Sequence, residues 1–348
     1  MRAYFIAIFL GVLVMPVLFG SSPAKSQKRV FVLHSYERNH VCGQPQNEGL
    51  VRALAEAGFE KQDITYEVYA MDTKRKNNTS ELISEQASIA LNKIKHFKPD
   101  VLVTLDDNAF KSVALTQVDT KLPIVFSGMN NQPENYNKSR QWLESRKKPG
   151  HNITGIYEKL HFATALRAQM KILTSLKKIR IYSDNSPTGK AIVNQIKLEL
   201  KNDPVPVEYD FVITDSWETY KKSILADNQS DIDTLYPVAL RLKDKSGKTL
   251  TANEILQWTS THSKKPSIPL NFAFVRLGLF GGAGVDFNHM GYQAGKMVAK
   301  ILNGVDVGMI PIEDAARYAL VFHLDRAKML GIKIPNEILL AADDVYRY

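Results

Sequence analysis

A single cysteine, Cys42, stands among 348 residues, so the thiol has no internal partner and no disulfide can staple the chain. It is either a reactive thiol or a small buried hydrophobe, and the second is the expectation. The eight histidines, His34, His40, His96, His151, His161, His262, His289 and His323, show no metal-ligand spacing of the His-Glu-x-x-His kind. No metal or cofactor is therefore expected. A phosphate-binding loop is also missing. The glycine-rich run Leu279-Phe280-Gly281-Gly282-Ala283-Gly284 lacks the later glycine of a dinucleotide fingerprint, and no Lys-Ser or Lys-Thr follows it. It reads instead as a segment passing between lobes, where small residues allow close backbone approach.

The formal charge is +9 and the pI near 9.3. Nucleic acid is nevertheless not expected as a partner. The basic residues come as scattered pairs, Lys147-Lys148, Lys177-Lys178, Lys221-Lys222 and Lys264-Lys265, with no aromatic-interleaved patch. They read as solvated surface, or as a face toward anionic headgroups or an acidic partner. Catalysis is not expected either, because His34, Ser35 and Glu37 are neighbours on one strand and its loop, which does not build triad geometry.

What is present begins with an export signal. Arg2 is followed by the apolar run Tyr4 to Phe19 and by Ser22-Pro23-Ala24. Pro16 and Gly20 interrupt a run already shorter than the roughly 20 residues a bilayer span needs, so residues 1–24 read as a cleaved signal peptide rather than an anchor. No cysteine ends the run, so a periplasmic protein is expected and a lipoprotein is not.

The remaining chain alternates strands and helices and exceeds the usual size of one domain, so two lobes are expected. Val30 to Leu33 is a strand, followed by a helix with Leu50, Val51, Leu54 and Ala57 on one side and Gly58 as its stop. Ile64 to Ala70 is a strand, and Asn78 with Glu81 is a capping pair for a helix burying Ile83, Ala87, Ala90, Ile94 and Phe97. Val101 to Leu105 and Ile124 to Phe126 are short apolar runs suited to a parallel sheet. From Asn130 to Asn152 the periodicity lapses into a surface excursion with a short helix around Trp142. Phe162 to Leu173 is a helix and Ile179 to Tyr182 a strand. Ser186-Pro187 starts the next helix. Val207 to Ile213, Thr234 to Tyr236 and Ile268 to Phe272 are further strands. Met290, Ala294, Met297, Val298 and Ile301 mark a last long helix face.

Asn152-Ile153-Thr154-Gly155, the Leu279 to Gly295 run, Ile310-Pro311-Ile312-Glu313 and the tail from Phe322 to Pro335 resemble the substrate-binding proteins of ABC transporters, in the group that includes tryptophan and tyrosine binders. The resemblance spans almost the whole chain after the leader. His34-Ser35-Tyr36, Met71 to Arg75, Asp106 to Ala109 and Pro123 to Asn130 most resemble a subset also used as extracytoplasmic input domains of sensor kinases. The resemblance implies an α/β type I periplasmic-binding fold. This has two doubly wound parallel-sheet lobes joined by a three-crossing hinge, closing on a small ligand and presenting the closed monomer to a membrane ABC permease or a sensor kinase. Lobe 1 is expected at 29–128 plus 279–310 and lobe 2 at 129–278 plus 311–348, with crossings near Asn130, Phe280 and Tyr318 to Phe322.

Ligands of open α/β sheets bind where strand ends meet helix starts. The expected contacts are therefore Ser35, Tyr36, Asp106, Asp107, Asn108, Ser127 and Asn130 from the first lobe, with Asp184, Asn185, Ser186, Tyr236 and Phe274 from the second. Asp106 and Asp107 either accept bonds from a ligand or cap the following helix. Ser183 to Ser186 either offers N–H groups to a carboxylate or caps its own helix. Tyr36, Tyr236 and Phe274 are stacking surfaces or core. Asp72 to Arg75 reads as a structural ion-pair cluster at the cleft rim. An amino acid or similar small polar solute fits this set.

Overall fold

The computed structural model describes residues 27–347, so the expected signal peptide at 1–24 lies outside the described residues. Strand β1 (Lys28–His34) leads to helix α1 (Gly43–Glu56), then β2 (Ile64–Ala70), α2 (Ser80–Phe97), β3 (Val101–Leu105), α3 (Asp106–Ser112), β4 (Ile124–Met129), α4 (Pro133–Tyr136) and β5 (Ile153–Tyr157). Next come α5 (Phe162–Ile172), β6 (Lys178–Ser183), α6 (Pro187–Asn202), β7 (Glu208–Ile213), α7 (Trp217–Asp227), β8 (Thr234–Pro237), α8 (Ala252–His262) and α9 (Ala273–Arg276). The chain ends with β9 (Gly281–Val285), α10 (Phe287–Leu302), β10 (Glu313–Asp314), β11 (Tyr318–His323), α11 (Leu324–Met329), α12 (Asn336–Leu340) and β12 (Asp344–Tyr346).

The first sheet is all parallel, in the order β10-β5-β4-β3-β1-β2. Its central strands are β-branched and apolar because both faces are covered: Val30, Phe31, Val32 and Leu33 are fully buried. On one face α1 and α10 pack backbone to backbone. A Cβ built at Gly49 would meet the Asn288 carbonyl at 1.9 Å, and one at Gly291 would meet the Gln46 carbonyl at 1.9 Å. Glycine at these positions is a condition of the contact. On the other face Trp142, fully buried, stands edge-on to Phe110 and Phe126 at 5.0 and 5.9 Å between ring centres. The second lobe carries the parallel order β7-β6-β8, extended through single bridges at Ser267 and Asn271 to the sheet β9-β11-β12, in which β9 and β11 run antiparallel.

Several expectations are corrected. A boundary at 128 cuts between paired strands, because β5 adds to β4 and β10 adds to β5; the first sheet draws on both sides of the expected limit. The first crossing follows Tyr157, not Asn130. The glycine run is strand β9 of the second lobe rather than a linker, and the crossing comes after it, at Asp286. Small residues suit that strand: a Cβ at Gly281 would lie 2.4 Å from the Val321 carbonyl. The last crossing precedes Tyr318, which already opens β11. Ile268 to Phe272 makes only isolated bridges. The short helix of the 130–152 excursion is α4, and Trp142 lies in a loop as core. Thr79, not Asn78, caps α2 by accepting from the Leu82 N–H. Val51 faces solvent, whereas Gly58 stops α1 with φ of 86° as expected.

Candidate functional site

In the first sheet the strand order reverses between β1 and β3; in the second lobe it reverses between β6 and β8. Such switch points open a crevice at the strand ends. Here the two crevices face each other across one cavity of about 170 Å³. Tyr36, Thr73, Lys74, Asp107, Asn108, Lys111, Asn131 and Tyr136 line it from the first lobe, and Asp184, Ser186, Pro187, Thr188, Ala239 and Arg241 from the second.

The backbone around Asp106 and Asp107 explains their division of labour. Asp106 begins α3 with φ of 66°, a conformation Asp tolerates better than most residues, and neither aspartate caps that helix. Asp107 instead anchors the 130–136 segment: its carboxylate accepts from the N–H groups of Asn130 at 3.0 Å and Asn131 at 3.2 Å and from the Tyr136 hydroxyl at 2.7 Å. Burial pushes the Asp107 carboxyl up, and those three donors pull the other way. Asp106 lies behind the cavity wall, 3 % exposed, with one oxygen toward the Gln46 amide under Gly128 and the other without a partner. Burial, and then the charge of Asp107, pushes its carboxyl well up, as burial does for Glu158, which accepts from the Asn130 side chain at 2.9 Å. Lys74 opposes both shifts.

Of the twelve residues expected to touch ligand, Tyr36, Asp107, Asn108, Asp184 and Ser186 line the cavity. The others do not. The Ser35 hydroxyl donates to the Leu105 carbonyl at 2.6 Å and accepts from the Ala109 N–H at 2.7 Å, locking two strand ends together. That fixed role, beside a His34 ring with neither nitrogen partnered, removes the His34-Ser35-Glu37 acid–base set as well. Ser127 and Asn130 are buried behind the wall with Asp106. Asn185 is turned outward to Asp215, its N–H donating at 2.9 Å. Tyr236 stacks on Phe162 at 4.8 Å and Phe274 belongs to the same core. Cys42 is partly buried, its thiol facing Asn271 and pushed up by burial. The Asp72 to Arg75 cluster is an ion-pair rim, with Arg75 3.6 Å from both Glu37 and Asp72.

In the second lobe Asp184 accepts from the Arg241 N–H at 2.6 Å and from the N–H and hydroxyl of Ser186, while Ser186 caps α6 by accepting from the Gly189 N–H at 3.0 Å. Thr188, one step into α6, meets the Tyr36 hydroxyl across the cavity. Lys74, Thr188 and Arg241 follow the strand-end rule and were legible in principle at the ends of β2, β6 and β8. Tyr136 carried no such signal, because it sits on a four-residue helix in the segment without periodicity.

The model of the ABC transporter substrate binding protein family matches residues 39–346. The chain belongs to that family. As a member it is a ligand-binding protein, not an enzyme. It is 21% identical over 332 residues to a tyrosine-binding protein of Clostridioides difficile, covering 92% of this chain and 85% of that protein. Among solved structures, the ABC domain from Streptococcus pneumonia in complex with L-Trp superposes with a TM-score of 0.71 at 19% identity, covering 92% of this chain and all (100%) of that one. A ligand-free, open substrate-binding protein from Clostridium difficile gives 0.66 at 19% identity, covering 92% and 99%. The type I periplasmic-binding fold follows from this likeness and from the two facing switch points.

Proposed function

We propose that this family member captures a small carboxylate-bearing solute, an amino acid or close relative of one, between its lobes outside the cytoplasm and presents the closed form to a membrane ABC permease. The observation that carries the reading is the Arg241 wall. The Arg241 side chain lines the cavity with its Nε buried and unpartnered, beside the N-terminus of α6, where the positive end of the helix dipole favours an anion although the Gly189 N–H is taken by the Ser186 cap. The relatives' tyrosine and tryptophan point to the same solute class. Tyr36 and Tyr136 offer aromatic edges between the polar walls. Contacts from both lobes stabilise closure, and closure is what a membrane partner can read. No helix of the described residues is long and apolar enough to cross a membrane, so the permease would supply the membrane passage.

The test is a thermal-shift and calorimetric screen of protein stripped of carried-over solute by unfolding and refolding. A ligand at 100 times its Kd raises stability by about 2.7 kcal/mol. Amino acids are expected to bind and their methyl esters to bind at least about 10-fold more weakly, with Arg241→Gln removing that difference. Equal affinity for acid and ester would refute the carboxylate assignment.

A further inference from the structure

We propose that the solute this cavity prefers carries a second anionic group, held on the first lobe opposite Arg241, so that an acidic amino acid or analogous small dicarboxylate is favoured over a neutral aromatic one. This rests on the solute-binding reading above and narrows its ligand class. Five charged side chains line the cavity, and they are not equally available. Asp107 already accepts three bonds, from Asn130, Asn131 and Tyr136. Asp184 also accepts three, from Arg241 N–H and from the N–H and hydroxyl of Ser186. A carboxylate has about four acceptor sites, so roughly one remains on each, enough for a single ammonium group.

The cations are in the opposite condition. Among the described residues, Lys74, Lys111 and Arg241 make no ion pair, although all three line the cavity. Lys74 lies with its ammonium 5.3 Å from the centre of the Tyr36 ring, at the first-lobe wall, and Lys111 projects from α3 beside Asn108. Three cations against two carboxylates leave the lining one positive charge in excess. A neutral zwitterion leaves that excess in place; an acidic amino acid, with two carboxylates and one ammonium, cancels it. Placing one carboxylate at Arg241 and the other at Lys74 and Lys111 ties the ligand's two anionic ends to different lobes, so closure and charge recognition become the same event. The size agrees, since 170 Å³ is below the roughly 300–1,000 Å³ of pockets for drug-sized ligands.

The experiment is calorimetry on the stripped full chain with glutamate and aspartate against glutamine, asparagine, tryptophan and tyrosine. At least one acid is expected to bind about 10- to 100-fold more tightly than its amide, the value of a charge-assisted bond lost to an isostere. Lys111→Gln, an exposed position where folding is not at stake, is expected to erase most of that ratio by weakening the acid far more than the amide; Lys74→Gln should act in the same direction. Tighter binding of an amide or of an aromatic amino acid overturns this inference while leaving the carboxylate-solute reading standing. Failure of glutamate and aspartate to bind overturns this inference, and failure of every amino acid in the broader screen above overturns the carboxylate-solute reading as well.

Discussion

Asp107 is the residue on which the cavity wall depends, and replacing it with alanine tests how that wall is built. The change leaves the Asn130 N–H and the Tyr136 hydroxyl buried without an acceptor, while the Asn131 N–H is only partly buried and can reach water. Each buried, orphaned donor costs about 1–3 kcal/mol. Against this, a desolvated carboxylate is removed, and Asp106 and Glu158 lose a repulsive neighbour. The net expectation is a loss of about 2–3 kcal/mol, or roughly 5–10 °C in Tm for lobes of this size. Asp107→Asn retains one acceptor oxygen and should lose clearly less. Melting curves of the three proteins, without ligand and at one pH, decide the matter. If alanine melts within about 1 °C of the parent, the three bonds do not hold the 130–136 segment and the reasoning fails.

Two further outcomes follow from the same geometry. The His34 ring is buried with no hydrogen-bond partner, and burial, with a smaller push from Arg38, holds its pKa down at about 4 from an ordinary 6.5. A depressed folded-state pKa means stability is fully present above pH 6.5 and is lost as pH falls toward 4, by about 3 kcal/mol. Asp106 and Glu158, raised in the fold, act with the opposite sign, so the His34 contribution is read as a difference. Denaturant titrations across that window should show a shallower acid-side loss for His34→Asn than for the parent; parallel curves would remove His34 as a source. At the helix contact, Gly291→Ala forces a methyl group to within 1.9 Å of the Gln46 carbonyl unless α1 and α10 separate. A loss of at least about 2–3 kcal/mol in chemical denaturation is expected, and a variant as stable as the parent would contradict the packing described.

Much of the scaffold was legible because its signals are local. β3 spans the expected run Val101 to Leu105, since a strand buried in a parallel sheet is written as a short apolar run closed by polar residues, and β2 spans Ile64 to Ala70 as a half-buried edge strand of β-branched and aromatic residues. Ser186-Pro187 is read as a helix start for an equally local reason, a side-chain oxygen three residues from the N–H it satisfies. The strand-end rule then found five cavity residues. It failed where a polar group at a strand end is taken by a partner away from the cavity: the Ser35 hydroxyl bonds to the β3 carbonyl of Leu105, and Asn185 turns outward to the Asp215 carboxylate. Sequence gives no measure of which partner such a group finds.

The sequence by itself determined the alternation of β and α, the two-lobed α/β class and the short list of strand ends where a ligand could be met, because periodicity, caps and apolar runs act over a few residues. Only the tertiary structure decided that β5 and β10 complete the first sheet, that Asp107 is bound by residues 23 to 29 positions later, and that Lys74, Lys111 and Arg241 line one cavity. Those facts depend on pairing and closure between distant segments. The energy of such contacts is set by burial and by which donor reaches which acceptor, quantities that exist only once the lobes are assembled.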